Sequence, residues 1–220
     1  MGRDVTRIGV LASGGGSNMQ AIMDEIAAGT IRGEIVLVIS DRPGAFALER
    51  ARKVGIETAV IPPQDYPTRE AFSQAIADRL AVAKVDLVLH AGFMRIITRE
   101  LADRYVGRML NIHPALIPSF CGKGFYGHHV HEAVLNYGVK VSGCTVHFVE
   151  LEVDGGPIVV QRVAPVLEDD TPDTLAARVL EQEHIAYPEA VRLYCAGRLR
   201  IEGRLVRVLA EGTALLQEEE

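Results

Sequence analysis

The sequence has no tryptophan, only three cysteines, no long apolar run and no excess of basic residues. Each shortage removes a class of function. A membrane-spanning helix needs about 20 consecutive apolar residues, and the apolar runs here are all far shorter. The N-terminal stretch MGRDVTRIGVLASGGG lacks the apolar segment of a secretory signal. Cys121, Cys144 and Cys195 are odd in number, scattered and without CxxC spacing. The expectation is therefore reduced thiols and a cytoplasmic location. Lys and Arg together number 23 against 29 Asp and Glu, a formal charge of −6. A general nucleic-acid binder needs a basic face to neutralise phosphates. Nucleic acid and membrane are thus not expected partners, while a local site for one small phosphate stays open.

What is present points to a folded enzyme-sized domain. The 220 residues are 48% hydrophobic, enough for a sizeable core. RIGVLAS, EIVLVIS, ETAVIP, VDLVLHAG and RMLNIH read as strands, several near-continuous in Val, Ile and Leu as strands buried on both faces should be. Between them NMQAIMDEIAAG, AFALERARKVG, TREAFSQAIADRLAVAK and TRELADRYVG place apolar residues at helical spacing. This alternation predicts an α/β fold: an open, mostly parallel twisted sheet with helices on both faces.

The pattern changes after Pro118. SFCGKGFYGHHVH reads as a loop and HEAVLNYG as a short helix. KVSGCTVHFVE and GPIVVQRVAPV read as strands. A long helix follows from Thr171, a plausible N-cap with Pro172 behind it, and Pro188 should bend or break that helix. RLRIEGRLVRVL reads as a hairpin turning at Glu202-Gly203, and the final QEEE should fray. No linker divides the chain.

Two stretches carry chemistry. SGGGSN, Ser13 to Asn18, ends the first strand and opens the first helix, where free amides and the helix dipole favour an anion. Gly16, Ser17 and Asn18 fit a phosphate monoester. The third glycine of a dinucleotide fingerprint is replaced by Met19, although Asp41 at the end of the second strand keeps that reading open; a purely structural tight turn is a separate alternative. In LNIHPALIPSF, Asn111 and His113 are two apart on a strand and so share a face, at the carboxyl end where open α/β sheets bind ligands. An amide and an imidazolium can together hold a developing oxyanion, or the pair can only cap loop carbonyls. A carboxylate such as Asp154, in VDGG, would raise the imidazole pKa and keep it cationic, or would only make a turn. His128, His129 and His131 suggest a metal, but their spacing is poor and no Cys or acidic residue stands at zinc-like spacing from them, so no metal is expected. His147 reads as a packed strand histidine.

SGGGSN, AGFMRII, LNIHPALIPSF, VSGCTVHFVELEVDGGPIVVQ and EQEHIAYP, in this order from Arg7 to about Arg200, resemble the phosphoribosylglycinamide formyltransferases (GAR transformylases) of purine biosynthesis. The resemblance implies a transfer of the formyl group of 10-formyltetrahydrofolate, a co-substrate, to the amine of glycinamide ribonucleotide. It implies that Asn111, His113 and Asp154 are catalytic. Gly16, Ser17 and Asn18 would bind the ribonucleotide phosphate, and Glu183 would contact the ribonucleotide. Arg69, Met94, Arg95, Ile96 and Ile97, with Glu150, Leu151, Glu152 and Val153, would border the folate. It implies a monomer or homodimer forming one formyltransferase domain over 1–220. Residues 1–110 would be a Rossmann-like phosphate-binding half, 111–200 the folate-binding and catalytic half, and 201–220 a hairpin and tail. The stretch CGKGFYGHHVH is longer than the shortest family versions, which leaves a role for His129 open.

Two relatives and one different class compete with this reading. Formyltetrahydrofolate hydrolases carry an N-terminal regulatory domain, whereas the first strand here begins by Arg7. Methionyl-tRNA formyltransferases carry an extra C-terminal domain. A non-catalytic phosphate-binding module gives no reason for Asn111, His113 and Asp154 to occur together.

Overall fold

A computed structural model describes residues 5–211. The QEEE tail lies outside the described residues. Five parallel strands form first: β1 (Thr6–Leu11), β2 (Gly33–Ser40), β3 (Glu57–Val60), β4 (Leu87–His90) and β5 (Met109–His113). The helices α1 (Ser17–Ala27), α2 (Phe46–Lys53), α3 (Arg69–Val82) and the short α4 (Arg99–Ala102) connect them. Then come α5 (His128–Tyr137), β6 (Val141–Phe148), β7 (Ile158–Pro165) and the long α6 (Pro172–Cys195). β8 (Leu199–Glu202) and β9 (Leu205–Val208) make a separate hairpin. The main sheet has the order β3-β2-β1-β4-β5-β6-β7, with β6 and β7 antiparallel. The order reverses between β1 and β4, so a crevice opens at their carboxyl ends.

Side-chain alternation sorts the core onto two faces. Ile8, Val10, Val38, Leu87, Leu89, Leu110, Ile112 and Val146 pack against α1, α2, α5 and α6. Leu11, Leu37, Ile39, Val88 and Met109 pack against α3 and α4. Asn111, His113, Thr145 and His147 belong by the period of two to this second face. The apolar cluster there contains nothing of β5 beyond Met109 and nothing of β6. Where that helical cover ends, polar side chains take over and loops cover them.

Three local expectations are corrected. α6 does not break at Pro188 but runs through it as one helix, with Pro188 buried among Ala186, Tyr187, Ala190 and Val191. Burial of that apolar stripe outweighs the backbone bond a proline removes, a loss of about 3 kcal/mol. α5 starts at His128 instead of His131, so the histidines expected in a loop lie on a helix. The hairpin pairs Glu202 with Leu205 and therefore turns at Gly203-Arg204, one residue later than expected, with Gly203 at φ +60. The Thr171 cap is as expected: its hydroxyl accepts from the Thr174 N–H at 3.3 Å and the Thr174 hydroxyl answers the Thr171 N–H at 2.9 Å.

Candidate active site

A cavity of about 940 Å³ opens at the carboxyl ends of the central strands. This is at the upper end of the range for small-molecule sites, roughly 300–1,000 Å³. Its apolar lining comes from Phe93, Met94, Ile96, Ile97, Val149, Leu151 and Val153, and its polar lining from Asn18, Arg42, Arg95, Asn111, His113, Asp154 and Glu183.

Antiparallel pairing brings the chemistry together. β5 sets Asn111 directly opposite His147 and His113 opposite Thr145. His147 Nδ1 lies 2.8 Å from the Phe148 carbonyl, which can only accept, so Nδ1 carries the hydrogen. In the neutral ring Nε2 then accepts from Asn111 Nδ2, 3.1 Å away. This fixes the Asn111 amide and leaves its second N–H for the cavity it lines. His147, expected to be only a packed strand residue, is indeed buried but also orients a site residue. No motif signals it; only the β5–β6 register does.

His113 is held from two sides. Its Nε2 donates to the Phe120 carbonyl at 2.8 Å, and Nδ1 faces Asp154 Oδ2 at 3.5 Å. Asp154 sits at φ +57 in the β6–β7 loop, and its Oδ2 also accepts from the Gly122 N–H at 2.9 Å. The expectation that Asp154 would keep His113 cationic is corrected. The His113 pKa is lowered, because burial disfavours the charged ring more than Asp154 and the Phe120 carbonyl favour it. Asp154 itself is lowered: burial pushes it up, but the nearby His147 and His113 rings and the Gly122 amide together outweigh that. A neutral imidazole thus faces a carboxylate that stays ionised.

The loop behind His113 is pinned to the sheet. Thr145 Oγ1 donates to the Ala115 carbonyl at 2.7 Å and accepts from the Ile117 N–H at 3.1 Å. Gln161 Nε2 donates to the Ile117 carbonyl at 2.9 Å. Neither Thr145 nor Gln161 stood out in the sequence.

Gly16 caps α1 at φ +69, and a Cβ there would sit 2.9 Å from the Ala47 backbone. Only glycine fits both constraints. Asn18, one turn in, donates from Nδ2 to Glu183 Oε2 at 2.6 Å across 165 residues. Burial raises the Glu183 pKa against that bond. Ser13 Oγ accepts from the Met94 N–H at 2.9 Å and so ties the glycine loop to the Met94–Ile97 segment. Asp41, the residue that kept a dinucleotide open, is buried and bound by Arg95 Nε at 2.6 Å.

Of the residues expected at the site, Asn18, Met94 to Ile97, Asn111, His113, Glu150 to Asp154 and Glu183 line the cavity. Gly16 and Ser17 do not line it; they directly precede Asn18, which does. Arg69 does not line it; it is exposed at the start of α3. His129 is exposed and paired with Glu132, while its neighbours His128 and His131 line the cavity. His90, buried at the tip of β4, was missed; its pKa is lowered to about 3 by burial and the nearby His147. Among the described residues no three His, Cys, Asp or Glu side chains are grouped to hold a metal ion. No helix among them is long and apolar enough to cross a membrane.

Residues 6–191 match the family model described as formyl transferase. A phosphoribosylglycinamide formyltransferase of Escherichia coli (strain K12) is 40% identical over 192 residues, covering 87% of this chain and 88% of that protein. A trifunctional purine biosynthetic protein adenosine-3 of Chironomus tentans is 43% identical over 200 residues, covering 90% of this chain. The match takes in only 14% of that longer protein. A glycinamide ribonucleotide transformylase 1 from Symbiobacterium toebii superposes with a TM-score of 0.90 at 48% identity, covering 95% of this chain and 96% of its own.

Proposed function

This chain belongs to the formyl transferase family, and we propose that within it the chain acts as a phosphoribosylglycinamide formyltransferase of purine biosynthesis. It moves the formyl group of 10-formyltetrahydrofolate onto the amine of glycinamide ribonucleotide, leaving tetrahydrofolate. The observation that carries this reading is the convergence of Asn111, His113 and Asp154 in one cavity that also offers an apolar recess and reaches Asn18, just after the glycine loop.

The chemistry follows from the atoms available. The acceptor amine is the nucleophile, so no side chain need attack. Its nitrogen bonds to the formyl carbon and the formyl oxygen takes on negative charge. The cavity-facing Asn111 N–H stabilises that oxyanion, being held by His147 before the ligand arrives. His113, neutral through burial, is able to take the proton the new ammonium sheds. Asp154 then holds the imidazolium. Return of this proton to the folate N10 lets the C–N10 bond break as the oxyanion collapses to the new formamide. The Phe120 carbonyl on Nε2 fixes the ring so that Nδ1 is the nitrogen that titrates beside Asp154.

Gly16, Ser17 and Asn18 bind the phosphate, and Glu183 the rest of the ribonucleotide. Met94, Arg95, Ile96 and Ile97, with Glu150 to Val153, border the folate; Arg69 would reach it only from the rim. The assembly is a monomer or a homodimer. Residues 1–220 work as one domain in the cytoplasm, with three free thiols in the structure. The first half holds the phosphate and one side of the folate, and 111–200 supply the chemistry and the other side of the folate.

An absorbance assay with 10-formyltetrahydrofolate, run with and without glycinamide ribonucleotide, tests the reading. Turnover that requires the ribonucleotide supports it. Deformylation independent of the ribonucleotide replaces it with a hydrolase, and absence of turnover leaves a binding module.

A further inference from the structure

α2 braces the glycine loop from outside, and the bracing fixes which way the loop amides point. The Gly14 carbonyl accepts from the Ala47 N–H at 3.0 Å, and the Gly15 carbonyl accepts from Arg50 Nε at 2.9 Å. In a planar trans peptide the C=O and N–H point in opposite directions. The N–H groups of Gly15 and Gly16 therefore face away from α2. No protein acceptor takes them, or those of Ser17 and Asn18, among the described residues. Gly14 and Gly15 are exposed, and a Cβ built on either would meet nothing within 4 Å. With Gly16 in the left-handed region, successive amides converge as in an anion nest.

Arg50 is itself held in place. Its guanidinium carbon lies 4.9 Å from the Phe46 ring centroid, and Nη1 donates to Gln20 Oε1 at 3.2 Å. This cation stands beside the positive end of α1, whose first turn has no acidic residue. Its charge adds to the positive potential at this helix end, which favours an anion on the amide side of the loop.

We infer that Arg50 is a positioning residue for the phosphate of the acceptor substrate. The Gly15–Gly16 peptide has no Cβ on either side and so is free to flip. A flip would present a carbonyl to the phosphate where an N–H belongs. Arg50 prevents it by binding the carbonyl on the outer side. The inference rests on the reading of this loop as the phosphate cradle.

The test compares Arg50→Met and Arg50→Lys with the wild type, using glycinamide ribonucleotide as substrate and inorganic phosphate as competing probe. Arg50→Met keeps an apolar chain on Phe46 but loses the brace. It should raise the KM for ribonucleotide and the inhibition constant of phosphate by about ten-fold each, which corresponds to about 1.4 kcal/mol. The kcat, the KM for the formyl donor and the melting temperature should stay at wild-type values. Arg50→Lys keeps the charge without the two-point hold and should retain most of the defect. Full recovery in Arg50→Lys, or unchanged constants in Arg50→Met while phosphate still competes in the wild type, overturns the role of Arg50 alone. If phosphate does not compete in the wild type, the cradle reading fails and this inference with it.

Discussion

Asn111 shows how one side chain acquires a function from a partner it cannot name in sequence. Alone on a strand tip, an amide is free to rotate and to point either its oxygen or its nitrogen at a ligand. His147 removes that freedom, because its Nδ1 hydrogen is committed to the Phe148 carbonyl and its Nε2 accepts. Loss of a preorganised oxyanion donor costs about 2.7–4 kcal/mol. Asn111→Ala should therefore lower kcat by at least about 10²-fold with the fold intact, and His113→Ala should do the same through loss of the proton acceptor. Single-turnover kinetics with circular dichroism as a fold control checks both; near-normal turnover in either variant removes that residue from the mechanism.

Glu183 makes a prediction of opposite sign in stability and function. Burial raises its pKa above the ordinary value near 4.5, so the folded state disfavours the carboxylate. The stability it contributes is present below that ordinary value and is lost as the pH rises through the folded one. Glu183→Gln removes the buried charge while keeping an oxygen for Asn18. The variant should melt above the wild type at about pH 8, with the gap closing toward about pH 4.5. Its affinity for the ribonucleotide should nevertheless fall. Scanning calorimetry at the two pH values decides the first point, and an equal offset at both would show that the charge is not felt.

At the scale of elements, α6 matters more than its place late in the chain suggests. Tyr187, fully buried on α6, aims its hydroxyl at the His90 carbonyl at 3.0 Å and the Leu110 carbonyl at 2.9 Å. These carbonyls belong to neighbouring strands, β4 and β5, just where the site begins. Glu183 lies one turn before Tyr187 on the same helix, so one contact sets the distance between the Glu183 side of the cavity and the Asn111 strand. Tyr187→Phe should destabilise the protein by about 1–3 kcal/mol, since it strips a buried donor from two carbonyls. Urea titration measures this, and a change well under 1 kcal/mol would mean that the strand ladder alone satisfies them.

The same scale shows what sequence patterns could and could not convey. The strands β1, β2, β4 and β5 were legible because their apolar runs are buried on both faces. The unbroken α6 was not, since Pro188 is a local signal against a helix and its compensation is long-range burial. α5 was read as starting late because Gly, aromatic and His residues resemble a loop until Val130 and Val134 find the core.

For the whole molecule, buried imidazoles govern the response to acid. Burial lowers His90 to about 3 and His131 to about 4, and His113 is lowered too. A group depressed on folding contributes stability above its unfolded pKa, near 6.5 for histidine, and loses it as the pH falls. Glu183 acts in the other direction but is a single group. Stability should thus drop between about pH 7.5 and 5, by about 1–2 kcal/mol per fully buried imidazole. Urea midpoints at the two pH values test this, with His90→Leu expected to remove part of the slope. A flat profile would mean that the imidazoles gain protons in the folded state as readily as in the unfolded chain.

The sequence by itself determined the α/β alternation, the glycine turn that only Gly16 can make, the strand tip bearing Asn111 and His113, and the Thr171 cap. All of these depend on residues within a few positions of one another, where period, turn chemistry and capping act. The tertiary structure alone decided the charge of His113, the work of His147 and the pairing of Asn18 with Glu183. The sign of the His113 shift depends on how much water burial removes against how close Asp154 comes, and neither is a local quantity. Asn18 and Glu183 meet only because the sheet brings α1 and α6 side by side on one face, 165 residues apart in the chain.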